Sequence, residues 1–400
     1  MNPERTPYKV PQAKESKINQ PLTFANRNRF GRNHPLKLPT LTRIPDQTWL
    51  RPFLWPLSQV YGLVTFLRNL AYDRGWLKSH VPDLPLVCIG NINAGGSGKT
   101  PHTELVAAYL YEILGPVAIL SRGYGRQSRG FHLASPTDGP DILGDEAHML
   151  HAKLPFIPLA VCEDRLKGIE QLQAVHPEIK AVIMDDGFQH RRVRPHWNIV
   201  LSDYGKPFFD DALLPLGGLR EYQSAYRRAD LIIFTKCPPS IRLYDRKYYG
   251  GRIADFPAER ILYSSLIHLD PIFMEPFEQD LLKPEGHYLL VTGIANTDLL
   301  CEHLNNTGLI YKHLAYPDHV NYSQEVLTEI QIAFANLHSP IKAILTTEKD
   351  FVKLASNPMF FVQNRMPLAY IPIEIDFQER DRKQLQVHMN NFAEKCRERY

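Results

Sequence analysis

One stretch of the sequence limits the fold more than any other, because it joins an apolar run to a helix-like segment through a glycine-rich loop. The apolar run covers residues 86–89, and the helix-like segment covers residues 101–114. Between them, from Gly90 to Thr100, the sequence reads Gly-Asn-Ile-Asn-Ala-Gly-Gly-Ser-Gly-Lys-Thr. A strand, a glycine loop, Lys-Thr and a helix in this order are typical of a phosphate-binding P-loop.

Each part of such a loop has a physical task. Glycines let backbone N–H groups turn toward phosphate oxygens, and the N-terminus of the following helix adds partial positive charge. Lys99 is placed to reach the β- and γ-phosphates, and the Thr100 hydroxyl is placed to hold Mg²⁺. The residues expected to bind ATP are consecutive: Asn93, Ala94, Gly95, Gly96, Ser97, Gly98, Lys99 and Thr100. Because Asn93 replaces the first glycine of the common pattern, a glycine turn before an ordinary helix is the alternative.

Length and charge set further limits. A chain of 400 residues with 44% hydrophobic content suggests two or three structural units. Its five cysteines lie far apart without metal-like spacing, so they are interpreted as reduced thiols. The net charge of +3 is uneven, because residues 1–80 hold thirteen Lys or Arg against four acids. This basic region predicts an anionic surface as a partner.

The N-terminal region divides into two parts. Residues 1–46 show no periodicity and are predicted to be a flexible basic extension, and no apolar core of a signal peptide follows the start. Residues 47–80 carry apolar side chains at helical spacing, and the sixteen residues between Arg51 and Arg68 are uncharged. Since spanning a bilayer takes roughly 20 apolar residues, a helix lying in the membrane interface is predicted. An amphipathic helix packed on the protein's own core is the alternative.

From residue 81 onward, short apolar runs alternate with helical stretches, which predicts an α/β fold of the P-loop type, with a parallel sheet and helices on both of its faces. The predicted units are a P-loop kinase core at 81–240, a linker with short strands at 241–285, and a second, smaller α/β domain at 286–400. Strands are predicted at 86–91, 117–121, 156–161, 181–185, 198–203, 230–235, 287–293, 309–315, 342–347 and 368–376. Helices are predicted at 101–114, 145–153, 163–175, 220–228, 297–306, 323–337 and 379–397, the last as a solvated surface helix.

Ligands of such sheets bind beyond the carboxyl ends of the strands, so polar residues that directly follow strands are the candidates for chemistry. Asp185 and Asp186 end an apolar strand and suit Mg²⁺ bound beside phosphates, whereas a solvated turn is the alternative. Asp145 and Glu146 begin a helix after a glycine- and arginine-containing loop. They either cap that helix or supply a base and a metal contact.

Two further groups are less specific. Arg220 closes an apolar, glycine-containing loop and suits charge stabilisation on a phosphoryl group, with a surface ion pair as the alternative. In the second block, Asp318 and His319 follow one predicted strand, and the polar segment 346–350 follows another. An isolated Asp-His pair is more often a turn than a catalytic dyad, so these residues matter only if the two blocks face each other.

Taken together, the motifs resemble one family, the tetraacyldisaccharide 4'-kinases of lipid A biosynthesis. Order and approximate spacing agree over residues 47–395, and residues 1–46 lie outside the resemblance. The motifs that carry the resemblance are Gly90–Pro101, Ser121–Gly125, Gly144–Glu146, Asp185–His190, Leu213–Glu221, Pro317–His319 and Thr347–Asp350.

The resemblance implies an activity, a location and partners. It implies transfer of the γ-phosphate of ATP, with Mg²⁺, to the 4'-hydroxyl of a tetraacylated glucosamine disaccharide 1-phosphate, which gives lipid IVA. It implies peripheral or monotopic attachment to the cytoplasmic face of the inner membrane of a Gram-negative-type bacterium. The partners would be the lipid substrate and the membrane surface, with no nucleic acid and no obligatory protein partner.

Residue roles follow from the resemblance in the same way. Lys99 and Thr100 would bind phosphates and Mg²⁺, and Asp145 would be the general base, assisted by His319. Glu146 and either Asp185 or Asp186 would bind the metal. Charge stabilisation and substrate contact would fall to Arg220, Gln189 and His190.

Three other functions remain open on the sequence alone. A P-loop ATPase or GTPase switch would hydrolyse nucleotide without a lipid acceptor. A membrane-anchored binding module would bind ATP without turnover. Nucleic-acid binding is disfavoured, because the basic segment lacks interleaved aromatic residues and any known module.

Overall fold

The computed structural model describes residues 51–277, 281–318 and 320–398. The predicted basic extension at residues 1–46 and the candidate His319 lie outside the described residues. In the part of the chain that the structure describes, the strands form one sheet of nine strands and a second sheet of five.

The elements alternate along most of the chain. The helices are α1 (Arg51–Asp73), α2 (Lys99–Leu114), α3 (Pro140–Leu143), α4 (Asp145–Lys153), α5 (Arg165–Val175), α6 (Leu243–Arg252), α7 (Asp298–Thr307), α8 (Gln324–Ala335), α9 (Glu348–Leu354), α10 (Pro358–Gln363) and α11 (Glu379–Arg397). The first strands are β1 (Leu86–Asn91), β2 (Val117–Ser121), β3 (His132–Leu133), β4 (Leu159–Val161), β5 (Ala181–Asp185), β6 (Trp197–Asp203), β7 (Leu231–Thr235) and β8 (Ile261–His268). The later strands are β9 (Ile272–Phe273), β10 (His287–Thr292), β11 (Ile310–Ala315), β12 (Lys342–Thr347), β13 (Leu368–Ile371) and β14 (Ile373–Phe377).

The large sheet has the strand order β14-β8-β7-β6-β1-β5-β2-β4-β3. Its seven inner strands pair in parallel, and the two edge strands, β14 and β3, are antiparallel to their neighbours. β1 lies at the centre, between β5 and β6, so the P-loop and the Asp185 end of β5 emerge side by side. The predicted parallel α/β sheet is confirmed.

The inner strands are apolar throughout because both of their faces are covered. Along β1, Leu86 and Cys88 point into one hydrophobic core, whereas Val87 and Ile89 point into the other. α5 packs on the first face, and α2, α4 and α11 pack on the second. The predicted helices on both faces of the sheet are therefore present.

The smaller sheet has the order β11-β10-β12-β13-β9, in which only β9 is antiparallel. Leu300 and Leu304 of α7 pack on one of its faces. α8, α9 and α10 cover the other face, where Ile330 and Leu354 are fully buried. The second α/β unit of the predicted fold is thus also present.

The predicted strand 368–376 is wrong as a single element, because it breaks at Pro372 into β13 and β14. β13 belongs to the small sheet and β14 to the large one. Proline has no N–H to donate to a neighbouring strand, so it suits the point at which the chain changes sheets.

The segment predicted as a linker, 241–285, is divided between the two sheets, since β8 joins the large sheet and β9 the small one. The boundaries predicted at 241 and 286 do not coincide with the division of strands between the sheets.

Three local predictions also need correction. The C-terminal helix α11 is not merely a solvated surface helix, because Leu385, Met389 and Phe392 on one of its faces are buried against the large sheet. The predicted helix at 220–228 is instead a short 3₁₀ segment, Gln223–Arg228. The strand predicted at 156–161 covers only β4, because residues 154–157 form a turn.

α1 turns a small, polar face toward the protein and an apolar face away from it. Ser58 and Gly62 are buried, and a side chain on Gly62 would collide with Leu213 and Tyr222. The outward side chains recur at helical spacing and are more than half exposed: Phe53, Leu57, Val60, Val64 and Leu67. No helix in the described ranges combines the length and the apolar character that crossing a membrane would require, α1 included.

Candidate active site

The glycine loop adopts the predicted strand–loop–helix arrangement. β1 ends at Asn91, and α2 begins with Lys99 and Thr100. Gly95 and Gly98 have φ angles of 120° and 78°, a region that side chains disfavour, so these two positions require glycine. Lys99 and Thr100 are therefore held at a helix N-terminus, where phosphate oxygens are favoured.

Side chains from three other segments hold the loop in place. The Asn91 amide donates to Ser97 Oγ at 3.0 Å, and Thr235 Oγ1 donates to the Ser97 carbonyl at 2.9 Å. His102 lies 2.7 Å from the Gly98 carbonyl and 3.0 Å from Ser264 Oγ. Burial lowers the pKa of His102 to about 4, so the ring is neutral at physiological pH. His102 was not predicted from the sequence, although it lies only three residues after Lys99.

Asp185 and Asp186, at the end of β5, lie beside this loop in different environments. Asp185 is 1% exposed and accepts hydrogen bonds from Thr103 at 3.1 Å and Ser121 at 3.2 Å. Burial, followed by the charges of Glu146 and Asp186, raises the pKa of Asp185. Asp186 is partly exposed and lies 3.8 Å from Lys99 Nζ. The predicted carboxylates are therefore brought together with the P-loop lysine.

Arg220 also contacts the carboxylate of Asp186. Its Nη1 donates to Asp186 at 3.0 and 3.2 Å and to Gln189 Oε1 at 3.2 Å. The backbone of its loop pairs with the P-loop, since Ala94 N donates to Gly218 O at 2.6 Å and Arg220 N donates to Ile92 O at 2.9 Å. Arg220 thus does form an ion pair with a nearby acid, as the alternative interpretation expected, and this pair lies beside Lys99 of the P-loop.

α1 is tied to this arginine loop rather than to a remote surface. Ser58 Oγ donates to the Leu213 carbonyl at 3.0 Å, and Tyr61 OH donates to the Arg220 carbonyl at 2.8 Å. A cavity of about 760 Å³ lies between α1 and this loop, with Leu63 and Leu216 among its lining residues. Apolar surface therefore extends from the helix to the edge of the candidate site.

Gln189 belongs to a buried polar cluster centred on Glu221. The Gln189 amide donates to the Asn91 carbonyl at 2.7 Å and to Glu221 at 3.1 Å. Glu221 also accepts two hydrogen bonds from Arg228, both at 2.8 Å, and one from Asn69 of α1 at 2.8 Å. Glu221 thereby joins α1, the P-loop strand and the arginine loop.

We expect Glu221→Ala to lower the free energy of unfolding by about 3–5 kcal/mol, because it leaves the Arg228 guanidinium without its buried partner. Urea denaturation monitored by tryptophan fluorescence measures the change. Glu379→Ala is the matched control, since Glu379 pairs with Lys383 on the surface, where the side chains are 79% and 70% exposed. That control should leave the free energy of unfolding nearly unchanged. Equal effects of the two substitutions would contradict the structural role of Glu221.

His190 lies at the same edge among cations. Burial and the neighbouring Arg165 guanidinium lower the pKa of His190 to about 4. Its buried Nε2 has no hydrogen-bond partner within the described residues. Arg165 itself is buried and donates to the Asp185 carbonyl at 3.4 Å, and Arg122 adds a further positive charge. Arg122 lies in the motif Ser121–Gly125 named from the sequence, whereas Arg165 was not predicted. The two arginines make this region suitable for anions.

Asp145 and Glu146 begin α4 directly after Gly144. Gly144 has a φ of 85°, and a Cβ at this position would lie only 2.6 Å from the Tyr124 carbonyl oxygen, so the position requires glycine. Glu146 is close enough to Asp185 to raise its pKa. Asp145 forms an ion pair at 2.7 Å with Lys353, a residue of the small sheet's helix α9. The first two residues of α4 therefore interact with two different parts of the protein: Glu146 with Asp185 at the end of β5, and Asp145 with α9 of the small sheet.

The polar segment 346–350 has mainly structural contacts. Thr347 Oγ1 caps α9 by accepting from Asp350 N at 3.1 Å, and the fully buried Asp350 accepts from Gly293 N at 2.8 Å. Lys349 reaches Asp318 at 2.9 Å. His319, predicted to assist Asp145, lies outside the described residues, so its role remains a prediction.

Mg²⁺ needs oxygen donors, and several of them lie beside the P-loop. Among the described residues, no three His, Cys, Asp or Glu side chains form a metal site by themselves. Mg²⁺ is usually held by one or two carboxylates, waters and nucleotide phosphates rather than by a complete protein cage. The Thr100 hydroxyl and the acidic cluster, whose charges raise the pKa of Asp185, supply oxygen donors of this kind. These residues fit Mg²⁺ bound together with a nucleotide.

A comparison with protein families decides between the open functions. The family described as tetraacyldisaccharide-1-P 4'-kinase matches residues 50–390. The chain belongs to this family. The resemblance seen in the motifs is therefore confirmed over most of the chain's length.

Individual relatives agree with this assignment. The chain is 37% identical over 359 residues to a tetraacyldisaccharide 4'-kinase of Bacteroides thetaiotaomicron, a match that covers 86% of this chain and 93% of the relative. It is 36% identical over 352 residues to the enzyme of that name from Phocaeicola vulgatus, covering 86% of this chain and 96% of that one. The crystal structure of LpxK from Aquifex aeolicus in complex with ATP superposes with a TM-score of 0.64 at 27% identity, covering 85% of this chain and 98% of that one.

The activity follows from family membership. The chain is a tetraacyldisaccharide 4'-kinase, an ATP- and Mg²⁺-dependent phosphotransferase of lipid A biosynthesis. It transfers the γ-phosphate of ATP to the 4'-hydroxyl of tetraacyldisaccharide 1-phosphate and forms lipid IVA. Its acceptor is therefore a lipid.

Proposed function

We propose that this transfer takes place at the edge of the large sheet that carries Lys99, Asp185 and Asp145. One observation carries the proposal: the P-loop, the end of β5, the arginine loop and the start of α4 come from four separate segments and converge there. The carboxyl ends of parallel strands at such a point form the usual crevice for a ligand.

On the nucleotide side, the backbone of residues 93–98 surrounds the phosphates and Lys99 neutralises their charge. When bound, Mg²⁺ offsets charge on the β- and γ-phosphates. Thr100, Glu146 and Asp185 would hold it, because Asp185 and Glu146 carry mutually repelling charge that a cation would relieve. Asp186 already pairs with Lys99 and Arg220, so it orients these two cations and is the weaker metal candidate.

On the acceptor side, Asp145 accepts the proton of the 4'-hydroxyl while the sugar oxygen attacks the γ-phosphorus and ADP leaves. Arg220 stabilises charge on the transferring phosphoryl group. Gln189 and His190 contact the substrate, and the nearby Arg165 provides positive charge for its anionic groups. His319 assists Asp145, as the resemblance implies.

The test is incubation of the purified protein with ATP labelled in the γ-phosphate, Mg²⁺ and tetraacyldisaccharide 1-phosphate. Label is expected on the disaccharide, at the 4' position. Nucleotide hydrolysis that is independent of the lipid, with no labelled sugar, would instead indicate an ATPase switch. ATP binding without any turnover would indicate a binding module.

We also propose that α1 attaches the protein to the inner membrane from the cytoplasmic side, where ATP is available. The outward stripe of five apolar side chains, from Phe53 to Leu67, has no protein surface to cover it within the described residues. Exposed apolar surface on this scale is typical of membrane or partner contacts, and the family's lipid substrate favours the membrane. Because α1 contacts the arginine loop, attachment would place the site at the lipid surface.

The combined substitutions Leu57→Ser, Val60→Ser and Val64→Ser should lower binding to phosphatidylglycerol vesicles by at least about 10-fold, because each removes apolar area from the contact. Co-sedimentation with the vesicles measures the effect. The matched control replaces Ile332 and Val387 by serine; these apolar side chains are similarly exposed, at 59% and 56%, on α8 and α11. Unchanged vesicle binding of the α1 variant would refute this attachment.

A further inference from the structure

Two helices from different sheets meet beside the candidate site. α4 packs on the large sheet and α9 on the small one. Lys353, near the end of α9, pairs with Asp145 at the start of α4 at 2.7 Å. Lys153, at the end of α4, pairs with Glu348 at the start of α9 at 3.1 Å. The helices are therefore antiparallel, with an ion pair at each end.

The two ends of this helix pair differ in their surroundings. Lys153 lies between two carboxylates, Glu348 and Glu104, the latter at 2.7 Å. Lys353 instead donates a second hydrogen bond, at 3.2 Å, to the carbonyl of Val320. Its ammonium group thus contacts the carboxylate that heads α4 and the backbone of the chain that follows β11.

This ion pair is restrained on both sides. The side chains of Lys353 and Asp145 are 13% and 18% exposed, so solvent competes little for either group. An ammonium group that bonds a carboxylate and a carbonyl at the same time has few alternative positions. Accurate placement of a reacting group contributes strongly to rate, and a displacement of about 1 Å costs on the order of 100-fold.

We propose that Lys353 is a positioning residue for phosphoryl transfer, which holds the Asp145 carboxylate at the acceptor edge of the site. The inference rests on the proposed role of Asp145 as the base. Lys353 acts through Asp145 and through the docking of α9 on α4, and the site is complete only when the small sheet supplies this lysine.

The experiment compares Lys353→Met, Lys353→Arg and Lys342→Met. Lys342 is the matched control, because it is also a partly buried lysine of the small sheet whose ammonium group bonds a backbone carbonyl, that of Phe334 at 3.3 Å. It begins β12, whereas α9 follows the end of that strand. Lys353→Met should lower kcat about 10-fold or more, with the KM for ATP within twofold of the parent, because the ATP contacts are untouched. Lys353→Arg should recover most of kcat, and Lys342→Met should retain it.

A second measurement does not depend on turnover. Hydrogen exchange of the unliganded protein should become faster in the segment 144–151 of Lys353→Met and should stay unchanged there in Lys342→Met. Thermal unfolding verifies that each variant is folded.

The inference is overturned if Lys353→Met keeps its kcat, if Lys342→Met lowers kcat equally, or if arginine restores no more activity than methionine. Failure of the parent to label the lipid would overturn the proposed function instead. In that case unchanged hydrogen exchange in Lys353→Met would overturn the positioning by Lys353 separately.

Discussion

Replacing Lys99 by methionine should lower kcat/KM for phosphoryl transfer by about 1000-fold, because the P-loop loses the ammonium group proposed to neutralise the charge of the phosphates. Lys99 lies at the N-terminus of α2, 8% exposed, with its Nζ 3.8 Å from Asp186. Methionine keeps the length and most of the packing of the side chain, so the change isolates the charge. Transfer of label from ATP to the lipid measures the rate, and ATP affinity is measured by titration with a fluorescent analogue.

Lys180→Met is the control for Lys99→Met. Lys180 directly precedes β5, whereas Asp185 ends it, so this exposed lysine lies at the opposite edge of the sheet. The control should bind ATP and turn over like the parent. If Lys99→Met also binds ATP and turns over like the parent, the glycine loop is not the nucleotide site, and the proposed function loses its donor half.

Asp145→Asn should lower kcat by about 100- to 10,000-fold while the KM for ATP changes little, because the amide keeps the shape of the side chain but cannot accept the proton. Steady-state kinetics with both substrates varied separates the two parameters. The two parameters together decide whether Asp145 serves as the base or as a ligand.

Asp141→Asn provides the matched control, since Asp141 is exposed on the neighbouring helix α3 and contacts Gln127. It should be nearly silent. His319→Ala should slow turnover less than Asp145→Asn, as expected of an assisting residue. An Asp145→Asn variant with intact kcat and a greatly raised KM for ATP would assign Asp145 to nucleotide or metal binding instead.

The central part of the fold could be predicted because local sequence and tertiary position agree there. β1, β2 and β5 are fully buried in a parallel sheet, so their sequences are continuous apolar runs whose ends are marked by polar residues. The bounds predicted for these three strands, for α4 and for α11 agree with the structure. The prediction of one strand at 368–376 failed, because the chain changes from the small sheet to the large one at Pro372. Such a change depends on strand order, which the local sequence pattern does not encode.

The residues of the candidate site likewise divide into those that the local sequence predicts and those that it does not. Lys99, Thr100, Asp145, Glu146 and Asp185 were predicted from their positions after strands or at helix starts. His102, Arg165 and Lys353 were not, because each is an ordinary residue in its local sequence. Their importance arises from partners that are distant in the chain, such as Ser264 for His102 and Asp145 for Lys353.

The sequence by itself determined the phosphate-binding loop, because a glycine loop between a buried strand and a helix carries its chemistry in consecutive residues. It also determined the family, since seven motifs in the same order are far more specific than one. Only the tertiary structure decided which other segments of the chain form the site around this loop. The arginine loop pairs with its backbone, α1 contacts that arginine loop, and a lysine from the second sheet meets Asp145. These contacts join segments more than 100 residues apart, and their strength comes from burial and exclusion of water, which exist only once the chain has folded.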